Sequence, residues 1–130
     1  MSYFPLALLI GRILYGGFFV MSGYNHFKNV GMLAGYAGSK GVPSPKLAVL
    51  ASGALIIAGG LGVMTGRFII YSLWAIIIFL IPVTFMMHQF WKVSDPNMKM
   101  METVNFKKNL ALLGAALMLM SLATPWAYTF

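Results

Sequence analysis

Four runs of mostly apolar residues are separated by polar stretches of unequal length: Phe4 to Gly23, Leu47 to Met64, Phe68 to Phe90, and Asn109 to Trp126. A helix of about 20 residues crosses a hydrocarbon core of about 30 Å, and each run is close to that length. The pattern predicts an all-α transmembrane four-helix bundle forming a single integral membrane domain over residues 1–130. The first run lacks the basic n-region of a signal peptide, because its only charge, Arg12, lies inside it, so it reads as an uncleaved span. Thr65-Gly66-Arg67 is too short to do anything but turn the second and third runs into an antiparallel hairpin. The stretch Tyr24 to Lys46 is longer. There Val30, Leu33, Ala34 and Ala37 recur at helical spacing before the breaker Gly41-Val42-Pro43-Ser44-Pro45. Gly31, Gly35 and Gly38 oppose a helix, so an interfacial helix and an irregular surface loop both fit. Trp91 to Lys108 is the most polar stretch, holds both acids, Asp95 and Glu102, and reads as a connector.

Composition strengthens this pattern. Hydrophobic residues make up 60% of the chain and charged residues 8%, against about 25% charged in soluble domains. The bilayer is therefore the expected solvent and first partner. Lys28, Lys40, Lys46, Lys92, Lys99, Lys107 and Lys108 all fall on one side of the four runs, with Arg67 alone on the other outside the spans. The positive-inside rule then places the long connectors in the cytoplasm and both termini on the non-cytoplasmic side. The net charge of +7 is dispersed over the ends of apolar runs, which argues against nucleic acid as a partner. With no cysteine, the chain has no disulfide, thiolate ligand, Fe–S cluster or covalent c-type haem. Any redox cofactor must be bound non-covalently.

Lipid tails are as apolar as leucine, so small residues should mark helix contacts. Ala54, Ala58 and Gly62 form one such stripe, Gly53 and Gly60 lie a heptad apart, Arg12, Gly16 and Gly23 fall near one face, and Ala111 and Ala115 repeat the spacing. Pro82 should kink its span unless a neighbour such as Thr84 re-satisfies the freed carbonyl. Arg12 is the most informative residue, because a cation within a span costs roughly 2.5 to 3.5 kcal/mol. No acid lies at its depth. Its guanidinium snorkels outward, binds backbone carbonyls, meets a carboxylate at Phe130, or faces a ligand or another subunit, on the side that also holds Arg67.

His26 and His88 fall at the cytoplasmic ends of their spans. Two histidines without cysteine or an intramembrane acid do not complete a closed zinc site, so no metal is expected, and bis-histidine haem ligation is the one form left open. A denser constellation joins His88-Gln89-Phe90-Trp91 to Lys107-Lys108-Asn109. Donors, rings and charge at one membrane face suit the head group of a quinone or an anionic lipid, although aromatics and lysines also collect at ordinary interfaces. Candidate ligand-binding residues are thus Arg12, Arg67, His88, Trp91, Lys108 and Asn109. No catalytic residue is assigned, since phosphate loops, paired intramembrane carboxylates and a clear inverted repeat are all missing.

Several segments in order resemble the DoxX-like family of small bacterial membrane proteins: Gly11-Arg12-Ile13-Leu14, Ser22-Gly23, Gly41 to Pro45, Gly66-Arg67, and Ile81-Pro82-Val83-Thr84. The most specific are His88-Gln89-Phe90-Trp91 with Asp95-Pro96, and Phe106-Lys107-Lys108-Asn109-Leu110-Ala111. The resemblance implies a four-helix fold in the bacterial inner membrane. It also implies, with other membrane-protein subunits as partners, a place in a quinone-linked or sulfur oxidoreductase complex, without catalysis by this chain alone. The alternative is a structural accessory subunit or scaffold with no redox chemistry. Many relatives carry a Glu in span two where this chain has Ala51-Ser52-Gly53-Ala54, which removes the counter-ion expected for Arg12.

Overall fold

The computed structural model describes residues 5–130 of the chain. Among the described residues the regular structure is helical: α1 (Pro5–Lys28), α2 (Val30–Ser39), α3 (Pro45–Thr65), α4 (Ile69–Met87), a 3-10 turn at Phe90–Lys92, and α5 (Pro96–Met120). Three segments, Pro5–Lys28, Pro45–Thr65 and Ile69–Lys92, are long and apolar enough to cross a membrane. They contain the first three predicted spans almost residue for residue.

The stretch after span one is helix rather than loop. Hydrogen bonds from Asn29 N to Asn25 O (2.9 Å) and from Leu33 N to Asn29 O (3.0 Å) carry the helical pattern through the break at Asn29 into α2. The glycines of α2 do not prevent this, because α2 packs along α3 and buries Ala37.

The fourth run departs from expectation. Asp95 accepts a bond from Met98 N at 2.9 Å as an N-cap and Pro96 occupies the first helical turn, so α5 starts well inside the stretch read as a connector. It also stops early, at Met120. From Asn109 to Met120 the apolar part is only about 18 Å long. Pro125 cannot continue a helix and disfavours helical Thr124. The segment 121–130 instead returns over the α3–α4 turn, where Phe130 N donates to Thr65 O at 2.8 Å.

Helices α1 and α3 form the closest pair. A Cβ built on Gly16 would lie 2.5 Å from Gly60 O, one on Gly60 2.5 Å from Gly16 O, and one on Gly23 2.6 Å from Gly53 O. The two glycine heptads therefore face each other in antiparallel register. Ala54 and Ala58, by contrast, are exposed. Gly66, with φ 76°, makes the hairpin turn and leaves room for Arg12, whose Nη2 would sit 3.3 Å from an added Cβ. Beyond that turn α4 packs on α3, with Ser72 and Ile76 against Gly59, and α5 packs on α4. Phe19, Ile56, Val63, Leu73, Ile76, Leu80, Ala116 and Trp126 form the core. Tyr15 Oη closes the bundle by donating to Leu112 O on α5 at 2.6 Å. In α4 the Thr84 hydroxyl donates to Leu80 O at 2.5 Å, so it does not re-satisfy the Ile78 carbonyl that Pro82 deprives of its usual donor.

Candidate functional site

At the turn end the α3–α4 hairpin is pinched by Gly59 and Gly62, and toward the opposite end it encloses a cavity of about 870 Å³. Most of the wall is apolar, with Phe19, Leu55 and Phe79 among its residues. Polar groups enter at the lysine-bearing end: His26 from α1, Tyr36 from α2, His88 after α4, and Lys108 and Asn109 from α5. An apolar chamber with a few convergent polar groups is the usual form of a small-molecule site.

Each polar group is held differently. His26 Nδ1 donates to Val49 O at 3.1 Å and lies 3.2 Å from Ser52 Oγ, while its ring packs 5.8 Å from Phe79. Ser52 stands in the segment Ala51-Ser52-Gly53-Ala54. The α1–α3 register puts this segment beside Gly23 and His26, about 16 Å along α1 from Arg12, so an acid there would not have been its counter-ion. Asn109 is 6% exposed and its side chain has no hydrogen-bond partner among the described residues. Lys108 is exposed, with Nζ 5.5 Å from the Phe18 ring centroid.

His88 Nδ1 pairs with Glu102 Oε2 at 3.1 Å, and Tyr36 Oη donates to Glu102 Oε1 at 2.5 Å. Glu102 is 1% exposed. Placing it in a polar connector was therefore wrong: it is a buried carboxylate clamped between α2 and the end of α4. The signal was present in Asp95-Pro96, a cap and first-turn pair that starts a helix and brings Glu102, Asn105 and Asn109 onto one face at i, i+3 and i+7. Tyr36 carried no such signal, since its partner comes from α5.

Burial, then the hydrogen bond to Glu102 and its charge, push the Tyr36 phenol up to about 12. The phenol is thus a fixed donor at neutral pH. A raised phenol value favours the folded state below about pH 10, and that contribution fades as pH rises through about 12. Spectrophotometric tyrosinate titration should show a late component that Tyr36→Phe removes and Glu102→Gln moves to lower pH; an unchanged curve in both variants would disprove the pairing.

The six candidate residues do not gather at one place. His88, Lys108 and Asn109 line the cavity. Trp91 packs outside it, 5.2 Å from Phe90 and 5.7 Å from Phe106 between ring centroids, in a cluster that ties α5 to the end of α4. Arg12 and Arg67 lie at the opposite end. Arg12, 1% exposed, donates to Met64 O (3.1 Å), Ala127 O (2.5 Å) and Tyr128 O (2.6 Å), and its guanidinium carbon lies 5.7 Å from the Trp126 ring centroid. Arg67 Nε donates to Phe130 O. Of the arrangements open to Arg12, backbone carbonyls are the one found, and the returning segment supplies two of the three.

Helices of this length and apolarity, joined by short turns around an amphipathic chamber, define a helical multi-pass membrane protein. The DoxX family model matches residues 7–89, well over half of the chain, and the chain belongs to that family. The match covers α1 to α4 and includes His88, whereas Glu102, Lys108 and Asn109 lie beyond it. No curated protein and no solved structure matches the chain.

Proposed function

We propose that the chain is an integral subunit of a quinone-linked or sulfur oxidoreductase complex in the bacterial inner membrane. It does no catalysis alone and contributes the cavity as a quinone pocket. The observation that carries this reading is the chamber itself: about 870 Å³ of mostly apolar space with His26, His88, Lys108 and Asn109 at one end. A quinone ring needs hydrogen-bond donors for its carbonyl oxygens and an apolar channel for its tail, and both are on hand. Helices α1, α3 and α4 cross the bilayer in this proposal, the apolar half of α5 enters it as a fourth segment, and the lysine-bearing end faces the cytoplasm.

Purification from native membranes in mild detergent is expected to recover a redox-active partner and bound quinone. Asn109→Leu removes one ring donor, and losing one buried hydrogen bond of about 1.4 kcal/mol should lower quinone retention about tenfold. A ligand-free chain without partners would overturn the reading. Should His88→Phe impair assembly yet leave turnover per assembled complex unchanged, a scaffold role replaces it.

A further inference from the structure

Of the α-helices that wall the chamber, α2 alone is short: ten residues between the break at Asn29 and the turn at Gly41, whose φ is 84°. Leu33, Tyr36 and Ala37 face the cavity from it. Gly31 and Gly35 have nothing within 4 Å of an added Cβ, so each weakens the helix without a close contact in return. Exposed Lys28 and Lys46 flank α2 in the sequence, which sets it where the bundle meets water. It rests on α3 and, less, on α1. Toward α5 it is held by Tyr36 Oη, which donates to Glu102 Oε1 at 2.5 Å, the one side-chain hydrogen bond from α2 to another helix among the described residues. Glu102 is a fixed anchor, 1% exposed and with Oε2 3.1 Å from His88 Nδ1. A short helix with few tertiary contacts is the kind of element that opens before the rest of a fold.

We propose that α2 is a hinged cover over the polar end of the chamber, latched to α5 by Tyr36 and Glu102 as positioning residues, so that water-soluble solutes reach the chamber when this bond opens. The cover controls aqueous access to His26, Ser52 and Asn109, which line the space beneath it. It needs no guest, so loss of the quinone reading leaves it intact.

The chain has no cysteine, so Ser52→Cys places a single thiol in the chamber wall. The test is the rate at which a charged, membrane-impermeant methanethiosulfonate labels that thiol in lipid nanodiscs, read beside amide hydrogen exchange by mass spectrometry. With Tyr36 intact, labelling is expected to be slow against an exposed thiol, and α2 amides to exchange faster than those of α3. Adding Tyr36→Phe removes one hydrogen bond to a carboxylate and should raise the labelling rate about tenfold, with faster exchange in α2 and none in α3. Glu102→Gln keeps the shape and a weaker acceptor, so a smaller rise is expected, and it serves if Tyr36→Phe does not fold. Labelling as fast as an exposed thiol with Tyr36 intact, or a rate that neither variant changes, overturns the cover. Exchange that speeds equally in α2 and α3 also overturns it, because the bond then supports the whole bundle rather than a hinge.

Discussion

Arg12→Ala is expected to release the segment 121–130 and to cost the folded protein on the order of 3 kcal/mol. Three hydrogen bonds from a charged donor contribute about 1.5 to 3 kcal/mol each, and the desolvation of the guanidinium offsets part of that sum. The carbonyls of Met64, Ala127 and Tyr128 are left without this donor, and Trp126 loses the cation beside its ring. Arg12→Lys should recover less than half of the loss. An ammonium is a point charge, whereas the planar guanidinium reaches two elements at once. Unfolding in mixed micelles gives the energy, and protease cleavage within 121–130 gives the location. Equal stability of the lysine variant and the unaltered protein would mean that the charge acts through lipid rather than through these carbonyls.

The second large effect belongs to the α1–α3 contact. Gly16→Leu or Gly60→Leu is expected to cost at least about 3 kcal/mol, the upper part of the range for overpacked interiors, because the atom first met is a backbone carbonyl. Gly17→Ala and Gly11→Ala are the internal controls. Nothing lies within 4 Å of a Cβ at either position, so neither change should destabilise and each should gain up to about 1 kcal/mol from the better helix former. The same unfolding assay ranks all four, and a Gly16→Leu protein as stable as Gly17→Ala would contradict the antiparallel register.

The helical, membrane-spanning character was legible because it is written locally. Apolar run length fixes where a helix needs a bilayer, and the glycine heptads at 16/23 and 53/60 fix which faces meet. The end of α5 was not legible from hydropathy, since Leu122, Ala123, Trp126 and Ala127 read as a continuing span. The helix stops because Pro125 breaks it and because Arg12, more than a hundred residues earlier in the chain, takes the carbonyls that follow. Glu102 was missed for a related reason. An acid among lysines reads as solvated, and its burial depends on Tyr36 and His88, which come from separate helices. Of the candidate residues, His88, Lys108 and Asn109 were brought together by the fold because they share one end of the bundle. Arg12 and Arg67, expected together on the opposite side, sit at the other end.

Where α3 and α4 diverge, the cavity wall includes Ala51, Ile78, Pro82 and Met86, all exposed on the outer surface of the bundle. On α4 these positions recur every fourth residue and form one continuous stripe. The chamber wall is therefore continuous with the outer surface of the bundle between α3 and α4. Under the proposed quinone reading, that face would let a guest enter from the bilayer, so its supply would follow its solubility and two-dimensional diffusion in the lipid.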